Sequence, residues 1–136
     1  MKKATLLLVV FATLGCLGCG GPSQKAKSDL KDAVVQFNEG VRWGRLQEVM
    51  PRVDPDNAPH FLKMHEKFGT EIQLSDYELI NSTYNEEKKT AAVIVRIMWY
   101  RQNEMELHTT TLLQDWALHG VNWRLMTETF QSGDAF

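Results

Sequence analysis

The stretch Thr90-Ala-Ala-Val-Ile-Val-Arg-Ile-Met-Trp-Tyr100 decides the fold of this chain. β-Branched and aromatic residues dominate it, and such residues favour an extended strand. Alternation along a strand places two apolar sets on opposite faces: Val93, Val95, Ile97 and Trp99 on one, and Ile94, Met98 and Tyr100 on the other. Because helices can cover only one face, we expect the second to be a partly apolar surface or a homodimer contact with another copy of the chain.

The residues on both sides of this stretch indicate further strands and, before them, helices. We predict strands over residues 72–84, 105–118 and 121–130, joined by short turns. Apolar residues at helical spacing predict a helix over residues 28–43, a short helix over 46–50 and a third from Pro59 to a stop at Gly69. The order predicts an α+β domain in which N-terminal helices pack on a curved antiparallel sheet of about four strands.

The last turn permits a prediction of strand register. His119-Gly120 is a plausible two-residue hairpin loop, because glycine accepts a positive φ and histidine does so more readily than most residues. This loop would place Trp116 opposite Trp123 and Asp115 opposite Arg124. We therefore interpret these four residues as structural cross-strand pairs.

The N-terminal residues 1–18 have the pattern of an export signal. Two basic residues, Lys2 and Lys3, precede an apolar run of about a dozen residues, which is short of the roughly 20 that a membrane-spanning helix needs. Two cysteines follow small residues, in Leu14-Gly15-Cys16-Leu17-Gly18-Cys19. A cysteine thiolate is a strong nucleophile at modest pH.

This segment resembles the lipobox of bacterial lipoproteins, in which the acylated cysteine becomes the mature N-terminus. The resemblance implies a signal peptide over 1–18, N-terminal acylation by membrane lipid at Cys19, with Cys16 as the alternative, and attachment to the cell envelope. Neither cysteine has the usual leucine three places before it. Neither is followed by aspartate, which by the same resemblance favours the outer membrane, facing the periplasm.

The residues after the signal predict a tethered single domain. Residues 19–27 are rich in Gly, Ser, Gln and Lys, which is typical of a flexible tether, and residues 28–136 are enough for one core. Removing Lys2 and Lys3 from the 15 basic residues leaves 13 against 17 acidic ones. This balance disfavours a nucleic-acid partner, because phosphate binding needs clustered Lys and Arg.

Helices followed by a long curved sheet resemble the nuclear transport factor 2-like fold, a cystatin-like cone. The segment Phe37-Asn-Glu-Gly-Val-Arg-Trp-Gly44, with Met50-Pro-Arg-Val-Asp54, also resembles small lipoproteins of Gram-negative bacteria. The fold resemblance covers residues 28–130. It implies either a binding module or an enzyme of isomerase or dehydratase type, since members of the superfamily do both.

The residues themselves favour no particular catalytic chemistry. His60 and His65 are five apart rather than at the four-residue spacing of a zinc pair, so neither a metal nor a cofactor is predicted. An acid–base enzyme of this fold would draw on a pool of polar side chains: Tyr77, Tyr84, Tyr100, His108, Asp115 and Glu128. We expect a non-enzymatic binding or accessory module for an envelope protein or a small apolar ligand, with the isomerase or dehydratase as the alternative.

Overall fold

The computed structural model describes residues 21–136; residues 1–20, with the predicted signal peptide, Cys16 and Cys19, lie outside the described part. In chain order the elements are α1 (Pro22–Arg42), α2 (Leu46–Val49), a 3₁₀ turn (Met50–Arg52), α3 (Ala58–Met64), β1 (Ile72–Asn85), β2 (Thr90–Arg101), β3 (His108–His119) and β4 (Asn122–Gly133). The strands form one antiparallel sheet in the order β1-β2-β3-β4. The predicted α+β fold, with helices on a four-stranded curved sheet, is confirmed. Within residues 21–136, no helix has both the length and the apolar character needed to cross a membrane.

The inner face of the sheet, the one that packs against the helices, carries the predicted apolar set of β2. Val93, Val95, Ile97 and Trp99 are at most 3% exposed there. Large aromatic side chains, each 1% exposed, fill the space between the helices and this face: Phe37, Phe61, Trp99, Trp116 and Trp123. The outer face is partly apolar, as predicted, with Ile94 and Met98 half-buried and Tyr100 exposed.

Bulges in the two edge strands account for the curvature of the sheet. The register of β1 shifts between Leu74 and Asp76 and again between Leu79 and Asn81, and the pairing of β3 with β4 shifts twice. Each shift leaves one extra residue on the edge strand, which bends the strand and increases its twist. The sheet therefore wraps around the helices without closing.

The start of α1 corrects the predicted tether. Residues 22–27 are helical, so the flexible segment expected over 19–27 is wrong for this part and the helix begins at Pro22 rather than near residue 28. Proline suits the first helical position because its missing N–H needs no partner there. Tertiary contacts hold the first turns: Trp123 Nε1 donates to the Ala26 carbonyl at 3.0 Å, and the Lys27 ammonium lies 5.3 Å from the centre of the Tyr84 ring.

The β3–β4 hairpin corrects the predicted register. The loop is Gly120-Val121, and His119 pairs with Asn122. Gly120 takes the positive φ of +63° at the first loop position, so histidine is spared a left-handed conformation. Displacing a hairpin loop by one residue moves every partner by two positions, which preserves the face on which each side chain lies.

The predicted cross-strand pairs are consequently wrong. Trp116 lies opposite Leu125 rather than Trp123, although both tryptophans remain buried. Asp115 lies opposite Thr127, because a bulge adds a further shift, and its Oδ2 accepts a 2.8 Å hydrogen bond from Thr127 Oγ1. Arg124 lies opposite Ala117.

Two element boundaries also differ from prediction. Helix α3 ends at Met64 instead of continuing to Gly69, because the chain turns towards β1: the Phe68 amide donates to the His65 carbonyl and the Gly69 amide to Ile72. Strand β3 begins at His108, and residues 102–107 form a turn and loop rather than its predicted first residues.

The domain has two distinct ends. We call one the turn end. There the start of α1 meets β4 through the contact between Ala26 and Trp123. The two hairpin turns, 86–89 and 120–121, lie side by side at this end, because the Leu118 amide donates to the Lys89 carbonyl. We call the other the loop end: it holds α3, the 102–107 loop and residues 134–136. There the ring of Phe136 packs on Phe68 and Trp99, at centroid distances of 4.9 and 5.5 Å.

Candidate functional site: a buried polar cluster beside an apolar pocket

Four polar side chains lie inside the apolar core and form what we call the polar cluster. Asn38 comes from α1, His65 from the residue after α3, Gln114 from β3 and Glu128 from β4, and each is at most 4% exposed. Burying polar groups costs free energy unless they are hydrogen-bonded, so the partners of each group decide whether the cluster is stable.

The two amides of the cluster satisfy each other. Gln114 Nε2 donates to Asn38 Oδ1 at 3.0 Å, and Asn38 Nδ2 donates back to Gln114 Oε1 at 3.2 Å. The second hydrogen of Asn38 Nδ2 goes to the Val34 carbonyl at 2.8 Å, and that of Gln114 Nε2 to Glu128 Oε2 at 2.6 Å. Every amide hydrogen of the pair is thus used, which ties α1 to both C-terminal strands.

His65 and Glu128 lie against each other in the core. His65 Nδ1 lies 2.9 Å from the Phe61 carbonyl, which can only accept, so a hydrogen bond there needs a hydrogen on this nitrogen. His65 Nε2 lies 2.9 Å from Glu128 Oε1, and the two groups form an ion pair only when the imidazole is protonated. By hydrogen-bond geometry, Glu128 Oε1 has no partner among the described residues.

The histidine–glutamate pair is sealed from solvent. His65 is 1% and Glu128 2% exposed, and the imidazole lies between the rings of Phe61 and Phe68, at centroid distances of 4.1 and 4.7 Å. The arrangement has the composition of an acid–base pair, yet no reacting group can reach it in this conformation. Over residues 21–136, no set of three or more His, Cys, Asp or Glu side chains is placed to hold a metal ion.

An open pocket of about 570 Å³ adjoins this pair at the loop end, and we call it the α3 pocket. Its apolar wall consists of Met64, Phe130, Ala135 and Phe136, and the polar residues around it are His60, Lys63, Glu66, Lys67, Glu128 and Thr129. Volumes of about 300–1,000 Å³ and a mostly apolar wall with a few polar groups are typical of sites for small molecules.

Ala135 and Phe136 form one wall of the α3 pocket, and the turn at Gly133 positions them. Gly133 has a φ of +97°, and a Cβ there would lie 2.2 Å from the Thr109 carbonyl oxygen, so only glycine fits. After this turn the Asp134 amide donates to the Thr109 carbonyl at 2.9 Å, and Asp134 Oδ2 accepts from the Thr109 amide at 3.1 Å. These bonds fix the position from which Phe136 packs into the core.

A second groove, of about 680 Å³, lies between α1 and β1. Lys27, Lys31, Asn81 and Ser82 contribute polar groups to its lining, and it adjoins no buried titratable pair. Lys27 is already engaged with the Tyr84 ring. This groove is therefore a weaker candidate than the α3 pocket.

Of the residues proposed from sequence as a catalytic pool, only Glu128 belongs to the polar cluster. Tyr77 Oη donates to the Val35 carbonyl at 3.5 Å; burial, and then the negative charge of Glu39, raise the pKa of this phenol. Tyr84 lies at the turn end against Trp123, with a centroid distance of 6.0 Å. Tyr100 and Asp115 lie on the outer face of the sheet.

His108 occupies a separate position near the loop end. Its ring stacks on Trp99 at a centroid distance of 4.4 Å, with Glu104 and Asp134 carboxylates 3.5 Å from its two nitrogens. The neighbours of His108 are therefore two carboxylates and a tryptophan. None of these contacts is with a tyrosine of the predicted pool.

Sequence reasoning missed three members of the cluster and the lysines of the pocket. His65 follows Phe61 by four residues, the spacing of one helical face, and the sequence gives it no polar partner on that face. Gln114 gave a usable signal, because it alternates with Leu112 and Trp116 and so falls at an inward position of a buried strand. A polar residue at a core position is a reason to look for buried partners.

No family model and no curated protein matches this sequence. Among solved structures, it resembles one described as a Ca/calmodulin-dependent kinase II association domain from Exiguobacterium sibiricum 255-15, with a TM-score of 0.62 and 12% identity over 76% of this chain and 90% of that chain. It also resembles a SEC-C motif containing protein from Rhodopseudomonas palustris, with a TM-score of 0.52 and 9% identity over 82% and 79% of the two chains. At these identities the likeness shows the fold alone.

Proposed function

We propose that this chain is a lipid-anchored protein of the cell envelope whose mature domain is a non-enzymatic binding module for a small apolar ligand. The signal over residues 1–18 is removed, Cys19 (alternatively Cys16) is acylated, and the domain faces the periplasm from the outer membrane. The domain is of the nuclear transport factor 2-like type. The order of helices followed by a curved antiparallel sheet supports this family, and the lipobox-like segment supports the anchor.

The observation that carries the binding function is the contrast between a filled interior and an open pocket. Five aromatic side chains, each 1% exposed, occupy the space between helices and sheet, and of the four residues of the polar cluster Glu128 lines the α3 pocket. The α3 pocket, in contrast, is open and has an apolar wall that includes Phe130, which is 49% exposed. Covering such a wall with an apolar ligand removes that surface from water.

The anchor and the pocket would lie at opposite ends of the domain. Cys19 precedes Gly21 by two residues, a reach of at most about 7 Å, so the lipid would lie beside the turn end. Strand β4 runs from the turn end at Asn122 to the pocket at Phe130, a distance of about 26 Å at roughly 3.3 Å per residue. An anchored domain can therefore hold the pocket away from the membrane surface.

Intact-mass measurement of the protein extracted from membranes tests the anchor. We expect the mass of a chain that begins at Cys19 with attached acyl groups, and loss of those groups in Cys19→Ser. Cys16→Ser is the matched control and should keep them. Loss in Cys16→Ser alone would move the anchor to Cys16, and acylation that survives in the double variant would refute the lipoprotein assignment.

Photolabelling tests the pocket. The full chain in phosphatidylcholine nanodiscs is irradiated with decanol that carries a terminal diazirine, and adducts are mapped by mass spectrometry. We expect adducts in residues 60–67 and 128–136, and their loss in Met64→Glu, which places a charge on the apolar wall. Met98→Glu, on the outer face of the sheet, is the control that should keep them. Equal labelling of all three chains would remove the pocket as a site.

A second candidate function is the acid–base enzyme, which is favoured by one observation: Glu128 both lines the α3 pocket and lies against His65. Such an enzyme must open the pair to solvent. Diethyl pyrocarbonate modifies accessible imidazoles, and exposed His60 in the same pocket is an internal reference. The binding module predicts that His65 stays unmodified while His60 reacts, whereas modification of both at similar rates would favour the enzyme.

A further inference from the structure

We propose that the α3 pocket takes an aliphatic carboxylate, with the carboxylate held by Lys63 and Lys67 and the chain lying against Met64, Phe130 and Phe136. This inference rests on the proposed function, since it specifies the ligand class of the same pocket. It follows from the charge at the rim and from the apolar wall.

The two lysines at the rim are not engaged by carboxylates of the protein. Over residues 21–136, no carboxylate oxygen lies within 4.0 Å of the ammonium group of Lys63 or of Lys67. Five basic side chains of the described part are paired in this way, among them Lys25, 2.8 Å from Asp29, and Arg96, 3.1 Å from Glu78, whereas Lys27 and Lys31 are as free of carboxylates as Lys63 and Lys67. The pocket therefore keeps two strong hydrogen-bond donors available for an anion.

The charge of the pocket is opposite to that of the domain around it. Acidic residues outnumber basic ones in the chain, 17 to 15, yet the rim of the pocket holds two lysines, Lys63 and Lys67, against one exposed carboxylate, Glu66. Glu128, the other acid of the lining, is 2% exposed and lies 2.9 Å from His65 Nε2. A positive rim on an acidic domain complements an anionic ligand.

The remaining lining determines what kind of anion fits. Met64, Phe130, Ala135 and Phe136 make a continuous apolar wall that a hydrophilic ion would leave exposed to water. The pocket also lies at the C-terminal end of α3, whose carbonyls oppose an anion, and a doubly charged group more strongly than a singly charged one. A singly charged head on an aliphatic chain meets both conditions.

Paired photolabelling tests this inference with the full chain in phosphatidylcholine nanodiscs. Decanoate and decanol, each with the same terminal diazirine, are compared by the concentration that gives half-maximal labelling of residues 60–67 and 128–136. We expect a lower half-maximal concentration for decanoate than for decanol. The double variant Lys63→Gln/Lys67→Gln should raise the value for decanoate about tenfold or more and leave the value for decanol unchanged, because it removes two charge-assisted hydrogen bonds and keeps the wall.

A matched pair of lysines elsewhere controls for net charge. Lys27→Gln/Lys31→Gln changes two lysines with the same spacing in the groove between α1 and β1, and it should leave the labelling of the α3 pocket unchanged. Equal labelling by decanoate in the parent and in Lys63→Gln/Lys67→Gln would overturn the carboxylate assignment while the decanol adducts still supported the pocket. If neither probe labelled the pocket, both the ligand class and the proposed binding function would fail.

Discussion

The turn end and the loop end of the domain hold their polar groups in different ways. At the turn end, a tryptophan donates a part-buried hydrogen bond to a helix carbonyl at Ala26, and the exposed Lys27 lies over Tyr84. At the loop end, four polar side chains are buried together behind aromatic rings, and an open apolar pocket adjoins them. The first arrangement fixes the start of α1 to the sheet, whereas the second maintains the wall of a candidate binding site.

This difference predicts where substitutions are most costly. Glu128→Ala removes the carboxylate that accepts from Gln114 Nε2 and lies 2.9 Å from His65 Nε2, so one buried amide hydrogen and one buried ring nitrogen lose their neighbour. We expect the free energy of unfolding to fall by about 3–5 kcal/mol, the usual cost of breaking a buried ion pair from one side. Urea unfolding followed by tryptophan fluorescence measures it.

Two further variants, one conservative and one at a carboxylate on the outer face of the sheet, are compared with Glu128→Ala. Glu128→Gln keeps the shape and one acceptor oxygen, so it should cost clearly less than Glu128→Ala. Asp115→Ala removes a carboxylate whose one described hydrogen bond, to Thr127, is exposed, and it should cost within about 1 kcal/mol. A loss below about 1 kcal/mol for Glu128→Ala would mean that the cluster does not stabilise the loop end.

Glycine substitutions compare the two ends at the level of the backbone. Gly133→Ala combines a φ of +97° with a Cβ placed 2.2 Å from the Thr109 carbonyl oxygen, and Gly120→Ala has a φ of +63° with no atom within 4 Å of the new Cβ. We expect about 1–3 kcal/mol of destabilisation for Gly133→Ala and less for Gly120→Ala, because the former must also move backbone.

The same glycine pair separates stability from binding. Gly133→Ala displaces residues 134–136, of which Ala135 and Phe136 form a wall of the α3 pocket, so it should also reduce photolabelling there; Gly120→Ala should not. Thermal unfolding and adduct mapping on the same samples give both quantities. Similar losses of labelling in the two variants would show that the loop-end wall has no specific role in the site.

Tryptophan substitutions test the turn end with a built-in control. Trp123→Phe removes the donor to the Ala26 carbonyl, and Trp116→Phe removes an indole nitrogen that has no hydrogen-bond partner among the described residues. Both changes shrink a ring that is 1% exposed. The difference between their unfolding free energies should therefore be about 0.5–1.5 kcal/mol, the net contribution of one hydrogen bond.

Hydrogen exchange shows where the effect of Trp123→Phe lies. Amides in the first turns of α1 should exchange faster in Trp123→Phe than in Trp116→Phe, because only the former releases Ala26 from the sheet. Unchanged protection in both variants would mean that these turns are held by helix propensity alone.

The fold was predictable because its signals are periodic. Residues 90–100 alternate with the two-residue period of a strand, and Leu30, Val34, Phe37 and Val41 repeat at helical spacing, so strand and helix faces followed from elementary geometry. The predictions of strand register and of the start of α1 were wrong because each depends on a single residue position. At Gly120 the choice of loop position moved every pair of the hairpin, and at Pro22 tertiary contacts with Trp123 and Tyr84 made helix out of a polar, tether-like sequence.

The candidate site was much less predictable, because it depends on side chains far apart in sequence. Asn38 and Gln114 are 76 positions apart, and Gln114 and Glu128 lie on different strands. Local spacing contains no information about such partners, so Glu128 was named only as one of several polar residues. The α3 pocket depends on Phe136 folding back over Phe68, which again no periodicity indicates.

The smallest expected effect lies between the two ends, at Tyr77 on β1, and it depends on pH. Burial, followed by the negative charge of Glu39, raises the pKa of this phenol in the folded state. The folded state therefore favours the protonated form more than the unfolded state does. This contribution to stability is complete below pH 10 and is lost as the pH rises through the raised value.

Tyr77→Phe should lose less stability than the parent above pH 10, with Tyr100→Phe, exposed on the outer face, as the control. Urea unfolding at pH 8 and pH 11 measures the difference, and an equal alkaline loss in Tyr77→Phe and the parent would place the origin of alkaline destabilisation elsewhere.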